Sequence, residues 1–213
     1  WLTANFITII STGFVVAMMI VALLQKNPGS PILAAIFGIC LKLYVLGDHL
    51  DGMQAKESQT SSPLGEFLDH YLDVFNGAMV FYAVTVFLGS IPNNFFVIFL
   101  GLNCVAFAAT MVEELETRML VFGYVGTLEG VLLLVVIYLT WLIPGVKELW
   151  SRELIQGYPA YWIIIIGMGL GYLGTILDIL LRMGRFPKPF ALFCVLISLL
   201  VYLLLEHPTD RLW

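Results

Sequence analysis

Four aspartates lie close together in an otherwise apolar part of the sequence: Asp48, Asp51, Asp69 and Asp73. Residues three or four apart share one face of a helix, so Asp48 pairs with Asp51, and Asp69 with Asp73. Two carboxylate pairs on neighbouring helices can bind divalent cations through oxygen ligands. Mg²⁺ or Mn²⁺ is the natural choice for a site built of oxygen alone. We therefore interpret residues 48–73 as the functional segment of the chain.

The alternative is that these acids form structural ion pairs. Lys42 and Lys56 are the bases near them in the sequence, and two bases cannot neutralise four carboxylates. Because an unpaired charge is costly in a membrane, cations or protons have to supply the missing positive charge. A divalent-cation transporter would also use such acids to conduct ions, and it is the alternative from another functional class.

The composition indicates a membrane protein. Of the 213 residues, 60% are hydrophobic and 12% are charged, about half the charged fraction of a soluble domain. Apolar stretches of about 20 residues, the length that crosses a bilayer as a helix, recur along the chain. We predict an all-α bundle in a single domain of residues 1–213. Its seven spans are predicted at 6–25, 31–47, 70–89, 92–112, 120–143, 160–182 and 187–205.

Other residues of the apolar spans are interpreted as structural. Asp178 and Arg182 are four residues apart and are expected to form an ion pair along one helix. The four glycines between residues 167 and 174 are expected to let helices pack closely. The net charge is −5 and the sequence has no basic patch, so nucleic acid is not an expected partner.

As a pattern, the functional segment is D-x2-D-G-x2-A-K-x8-G-x3-D-x3-D. It resembles the signature of the CDP-alcohol phosphotransferase family, in which an arginine takes the place of Lys56. The stretch S-S-P-L-G-E at residues 61–66, followed two residues later by D-H, is similar to the choline and ethanolamine phosphotransferase branch. The stretch N-F-I-T at residues 5–8 is similar to a second motif of that branch. The resemblance spans residues 1–130.

The resemblance implies a six-helix core in the membrane, so that one of the seven predicted spans is additional to it. It also implies two bound Mg²⁺ or Mn²⁺ ions, because a metal pair about 3.5–4 Å apart neutralises phosphate groups in such a transfer. The expected metal ligands are Asp48, Asp51, Asp69 and Asp73. The residues expected to contact the CDP group are Asn5, Gly52, Ala55, Lys56 and Gly65.

A base that removes the proton of the attacking hydroxyl is also expected. In the choline and ethanolamine branch a histidine and a glutamate are assigned this role, and they correspond to His70 and Glu66. The two positions are four apart in the sequence, so the carboxylate can orient the imidazole. Elsewhere in the family the last aspartate, Asp73 in this sequence, is favoured, and His70 would then form a hydrogen bond between helices. We predict His70 as the base, Glu66 behind it and Asp73 as a metal ligand.

The resemblance implies a multi-pass membrane enzyme that transfers phosphocholine or phosphoethanolamine from its CDP derivative to diacylglycerol. With the same chemistry, the alternative is transfer of a phosphatidyl group from CDP-diacylglycerol to a small alcohol or a sugar phosphate. Lys56 and Glu57 depart from the pattern of the branch, and an inactive homologue that still binds metal or CDP is a third interpretation. Since members of the family are often dimers, a homodimer is a further expectation.

The orientation is inferred from basic residues near the ends of the spans. Arg182, Arg185 and Lys188 cluster after the sixth predicted span, on the side that also carries Lys56 and Arg118. A nucleotide substrate would be supplied in the cytosol. Both observations predict that residues 48–73 face the cytoplasm.

Overall fold

A computed structural model describes residues 3–24, 30–88, 92–118, 127–155 and 157–206. These residues form eight helices and one short hairpin. The helices are α1 Ala4–Leu24, α2 Pro31–Glu57, α3 Pro63–Leu88, α4 Asn93–Thr117, α5 Thr127–Thr140, α6 Val146–Ser151, α7 Trp162–Met183 and α8 Lys188–Glu206. The strands β1 Glu153–Ile155 and β2 Tyr158–Pro159 pair in antiparallel orientation.

Six of the described helices, α1 to α4, α7 and α8, are long and apolar enough to cross a membrane. They confirm the prediction of an all-helical, multi-pass membrane protein. Helix α5 has 14 residues, which rise about 21 Å and fall short of a hydrocarbon core of about 30 Å. The predicted span 120–143 begins outside the described residues, so a seventh crossing stays a prediction.

The two helices that carry the aspartates both begin with a serine followed by a proline. The Ser30 hydroxyl accepts a hydrogen bond from the Leu33 backbone N–H at 3.4 Å in the first turn of α2. The Ser62 hydroxyl accepts one from the Gly65 N–H at 3.1 Å in the first turn of α3. Each serine satisfies a free N–H of its first turn, and proline suits the first helical position. The aspartate segment is therefore helical except for the short turn at residues 58–62.

The described helices pack into two compact units, and the aspartates lie in the first. This unit contains α1, α2, α3, most of α5, α6 and the hairpin. Helix α1 packs against both α2 and α3. The aspartate helices therefore share α1 as a common neighbour, and the single domain of residues 1–213 stays a prediction.

An aromatic cluster joins α2, α3 and α5 within this unit. The ring centroid of Phe37 lies 4.9 Å from that of Phe87 and 4.6 Å from that of Tyr138. Trp141 packs at 5.6 Å from Phe87, and all four side chains are buried. Phe37 lies about 16 Å along α2 from Asp48. The cluster therefore fixes α2 and α3 to each other at the end away from the aspartates.

A close contact between α1 and α2 occurs one turn before Asp51. A Cβ on Gly47 would lie 2.4 Å from the Ser11 Oγ and 3.1 Å from the Ser11 Cβ. Any larger residue there would require the Ser11 side chain to move or one helix to shift. This contact determines how closely the polar face of α1 approaches the aspartates of α2.

The second unit contains α4, α7 and α8. An ion pair in this unit connects α4 with α7. The Arg182 guanidinium of α7 donates two hydrogen bonds of 2.8 Å to the buried Glu113 carboxylate of α4. It also pairs with Asp178. The predicted ion pair of Asp178 and Arg182 is confirmed, and Glu113 is an additional partner that the spacing did not reveal.

Glycine packing in α7 differs from the prediction. A Cβ on Gly169 would overlap the Phe99 ring of α4 at 2.1 Å, so this glycine does serve close packing. A Cβ on Gly167, Gly171 or Gly174 would meet no neighbouring atom of the described residues within 4 Å. The prediction is therefore right for Gly169 and wrong for the rest, because a run of small residues does not tell which one faces a neighbour.

We expect Gly47→Ala to destabilise the protein by about 1–3 kcal/mol, the usual cost of overpacking a tight contact. The added methyl would meet the Ser11 hydroxyl oxygen at 2.4 Å. Thermal unfolding in detergent measures the change. Gly13→Ala in α1 is the matched control, because a Cβ there meets nothing within 4 Å among the described residues. When Ser11 is also replaced by alanine, Gly47→Ala should destabilise the protein less. Equal destabilisation with Ser11 and with Ala at position 11 would contradict the contact.

Candidate active site

Helices α2 and α3 bring three carboxylates together. Asp48 of α2 and Asp69 and Asp73 of α3 each offer one oxygen, and these oxygens all lie within 4.8 Å of one another. The three side chains are half-buried. Because like charges at this distance repel strongly away from bulk water, the group needs a cation or a shared proton between its members.

The fourth predicted ligand, Asp51, is held in a different way. Its side chain is 3% exposed, and its Oδ2 accepts a hydrogen bond of 2.6 Å from the Thr8 hydroxyl of α1. It lies one turn from Asp48, and its charge acts on Asp69 and Asp73. The structure thus groups three aspartates by their oxygens and places Asp51 beside them. The role of Asp51 as a metal ligand stays a prediction.

The donor atoms fit Mg²⁺ or Mn²⁺, which prefer oxygen ligands. The Oδ1 of Asp69 is buried and has no hydrogen-bond partner among the described residues, a costly arrangement that a bound cation would relieve. Asp48 forms an ion pair with His49 at 4.0 Å. The His49 side chain is 52% exposed, so it neutralises little of the charge. A divalent cation is the ligand that this group of oxygens suits.

The residues predicted to contact CDP flank the aspartates on three helices. A Cβ on Gly65 would lie 3.2 Å from the Asn5 Oδ1, so the glycine lets α1 approach the first turn of α3. A Cβ on Gly52 would meet no side chain or neighbouring backbone of the described residues within 4 Å, which leaves open space beside Asp51. Ala55 and Lys56 follow near the end of α2, where Lys56 is exposed. Contact of these residues with CDP stays a prediction.

Glu66 and His70 lie on one face of α3, as their spacing predicts. Glu66 is exposed in the first turn of α3, and His70 is half-buried next to Asp69. His70 is also three residues before Asp73 on the same helix. The imidazole therefore lies at the edge of the carboxylate group, and the catalytic roles of His70, Glu66 and Asp73 stay predictions.

Two residues that contact the aspartates were not predicted from the sequence. Thr8 donates its hydroxyl hydrogen to Asp51 across 43 residues of sequence, a distance at which no local pattern indicates a contact. The side chain of Tyr44 on α2 lies near the Asp73 carboxylate of α3. Tyr44 lies four residues before Asp48, so helical periodicity could have placed it on the aspartate face.

A model of the CDP-alcohol phosphatidyltransferase family matches residues 1–173. The match covers most of the chain and every residue of the site described above. The chain belongs to the CDP-alcohol phosphatidyltransferase family. The resemblance inferred from the aspartate segment is confirmed, and the family match continues beyond residue 130 into α7.

The chain is similar to proteins of plants, fungi and animals. The chain is 28% identical over 171 residues to choline/ethanolaminephosphotransferase 1 of Arabidopsis thaliana, a match that covers 76% of this chain and 43% of that protein. It is 24% identical over 164 residues to cholinephosphotransferase 1 of Saccharomyces cerevisiae, with 73% and 41% covered. It is 28% identical over 176 residues to cholinephosphotransferase 1 of Xenopus laevis, with 79% and 43% covered. The chain thus spans less than half the length of these relatives.

We expect Asp69→Asn to lower the Mn²⁺ affinity of this family member by at least about 10-fold. Removal of a residue that only hydrogen-bonds to a metal ligand already lowers metal affinity by about 10–100-fold. Electron paramagnetic resonance titration of purified protein in detergent with Mn²⁺ measures the affinity. Asp178→Asn is the matched control, since Asp178 carries the same charge on α7 and pairs with Arg182. Equal weakening in both variants would contradict a specific site at Asp69.

Proposed function

We propose that this chain transfers phosphocholine or phosphoethanolamine from its CDP derivative to diacylglycerol and releases CMP. The observation that carries the proposal is the carboxylate group of Asp48, Asp69 and Asp73, whose oxygens lie within 4.8 Å of one another on two membrane-type helices. Relatives named choline/ethanolaminephosphotransferase and cholinephosphotransferase favour these two donors.

In the proposed reaction, the hydroxyl oxygen of diacylglycerol forms a bond to the β-phosphorus of the CDP-alcohol. The bond from that phosphorus to the oxygen that bridges the two phosphates breaks, and CMP leaves with the bonding electrons. The hydroxyl proton passes to a base of the protein. Transfer of this kind needs positioning and neutralisation of charge more than covalent chemistry, and this explains why carboxylates that hold cations are central to the site.

Asp48, Asp69 and Asp73, with Asp51 beside them, are proposed to hold two Mg²⁺ or Mn²⁺ ions. When bound, such ions neutralise the negative charge on the attacked phosphate and on the leaving phosphate. The buried and unpartnered Oδ1 of Asp69 supports this assignment.

The CDP group is proposed to lie along α2 beyond Asp51. The open space at Gly52 leaves room for it, and Ala55 keeps the next turn small. Lys56, exposed at the end of the helix, supplies a point charge for a phosphate. Asn5 and Gly65, which meet where α1 approaches α3, form the opposite side of this space.

His70 is proposed as the base, with Glu66 orienting the imidazole. An imidazole titrates near neutral pH and can accept a proton during the reaction. Its place on α3 between Asp69 and Asp73 keeps it next to the proposed metal ions and therefore next to the reacting phosphate. Asp73 is assigned to the metal, because one of its oxygens lies within 4.8 Å of oxygens of Asp48 and Asp69.

The site is proposed to face the cytoplasm, where a CDP-alcohol would be supplied, while diacylglycerol arrives from the membrane. The exposed Lys56 at the end of α2 is consistent with the preference for basic residues on the cytoplasmic side.

A homodimer is proposed on the family resemblance alone.

CMP release by purified protein in detergent tests the proposed function. We expect release that requires diacylglycerol, Mg²⁺ or Mn²⁺, and either CDP-choline or CDP-ethanolamine, and that is lost in Asp69→Asn. Release with CDP-diacylglycerol and a small alcohol or sugar phosphate instead would replace the proposed donor. Protection of the protein from heat by CDP without any release would indicate a binding-only homologue. Divalent-cation flux in vesicles without nucleotide binding would indicate a transporter.

We expect His70→Ala to lower turnover by about 100-fold or more, within the usual contribution of general acid–base catalysis, while Mn²⁺ binding is retained. Glu66→Gln should lower turnover less, since Glu66 acts through His70. Initial rates and Mn²⁺ titration on the same preparations separate the two effects. Near-normal turnover in His70→Ala, together with an inactive Asp73→Asn that still binds Mn²⁺, would assign the base to Asp73.

A further inference from the structure

The Thr8 hydroxyl of α1 lies directly against one of the four aspartates. Its Oγ1 is 2.6 Å from the Asp51 Oδ2, and the two side chains are 7% and 3% exposed. The same Oγ1 lies 3.1 Å from the Ala4 carbonyl oxygen one turn earlier. A hydroxyl has one hydrogen to donate, and the contact with the Asp51 carboxylate is the shorter of the two. Thr8 therefore gives up the usual bond to its own helix for one to α2.

The approach of α1 to α2 is built for this bond. Ser11, one turn after Thr8, contacts Gly47, one turn before Asp51, so closely that a Cβ on Gly47 would lie 2.4 Å from the Ser11 Oγ. The two contacts run in opposite sequence directions, as expected for antiparallel helices. The glycine therefore lets the helices come near enough for the Thr8 hydroxyl to reach the carboxylate.

The bond also determines which part of Asp51 is available to a cation. The Thr8 hydroxyl donates its hydrogen bond to Oδ2 of this carboxylate. A donor on one oxygen of a carboxylate fixes its rotation and directs the other oxygen, as outer partners of metal ligands do.

From this geometry we propose that Thr8 is a positioning residue of the metal site. Its hydroxyl holds Asp51 in the orientation that completes the group of Asp48, Asp69 and Asp73. Thr8 itself touches neither metal nor substrate. The inference rests on the proposed function, since it assigns Asp51 to the cations that the transfer requires.

Mn²⁺ titration by electron paramagnetic resonance tests the proposal on the purified full chain. Thr8→Val keeps the shape of the side chain and removes the hydroxyl, so Mn²⁺ affinity should fall by about 10-fold or more. Thr8→Ser keeps the hydroxyl and should recover most of the affinity. In an Asp51→Asn background, Thr8→Val should have no further effect. Unchanged affinity in Thr8→Val, or the same loss with and without Asp51, would overturn the proposal.

Thr12→Val is the matched control on the same helix. Thr12 accepts a hydrogen bond of 3.1 Å from the Asn76 side chain of α3, so this variant also removes a polar contact of α1 but leaves Asp51 alone. Its Mn²⁺ affinity should stay near that of the wild type. A loss as large as that of Thr8→Val would overturn the proposal in favour of general loosening of α1. If Thr8→Val does not give folded protein in a melting curve without metal, Thr8→Ala takes its place with the same criteria.

CMP release measured on the same preparations separates this inference from the proposed function. Weaker Mn²⁺ binding in Thr8→Val, with no release by the wild type from any donor, supports the positioning role and overturns the transferase. Release by the wild type, with Mn²⁺ affinity unchanged in Thr8→Val, overturns the positioning role alone. A wild type that binds no Mn²⁺ overturns both.

Discussion

Repulsion among the carboxylates of α2 and α3 is the constraint on which the site depends. Two unit charges 4 Å apart near a protein surface interact with about 4 kcal/mol, and Asp48, Asp69 and Asp73 bring three such groups within 4.8 Å of one another. At the other end of the same helices, Phe37 and Phe87 pack within a buried aromatic cluster. The helices are thus held together by apolar contacts at one end and pushed apart by charge at the other. Cations at the charged end would replace this repulsion with attraction. Metal binding would therefore stabilise the packing of α2 against α3.

Helix α1 contributes to this balance because its polar residues reach both aspartate helices. Toward α2, Thr8 binds Asp51 and Ser11 meets Gly47. Toward α3, the α1 residues Asn5 and Thr12 meet Gly65 and Asn76, respectively. In a membrane such contacts are effective, since lipid offers no competing hydrogen bonds to these groups. An apolar helix with a few hydroxyl and amide side chains can therefore fix the spacing of two helices that repel each other.

Much of the site could be predicted from the sequence because it depends on residues that share one helix. A spacing of three or four residues places Asp48 with Asp51, Asp69 with Asp73, and Asp178 with Arg182, whatever the rest of the fold does. Contacts between helices could not be predicted in this way. Thr8 lies 43 residues from Asp51, and Glu113 lies 69 residues from Arg182. Their pairing depends on which faces of the helices meet. The same limit explains why Gly169 could not be distinguished from its neighbours.

The departure from the family pattern at Lys56 lies outside the carboxylate group of Asp48, Asp69 and Asp73. Asp48 and Asp51 lie in the half-buried and buried part of α2, whereas Lys56 and Glu57 are exposed in its last turn. Lysine keeps the positive charge of the family's arginine and loses the planar fork that binds two phosphate oxygens at once. Glu57 places a negative charge beside it, which weakens the local attraction for a phosphate. Neither change alters the oxygens of the carboxylate group. If the proposed function is right, the departure affects how firmly the CDP group is held and which donor is preferred, and the aspartates still supply the charge neutralisation that the proposed transfer needs.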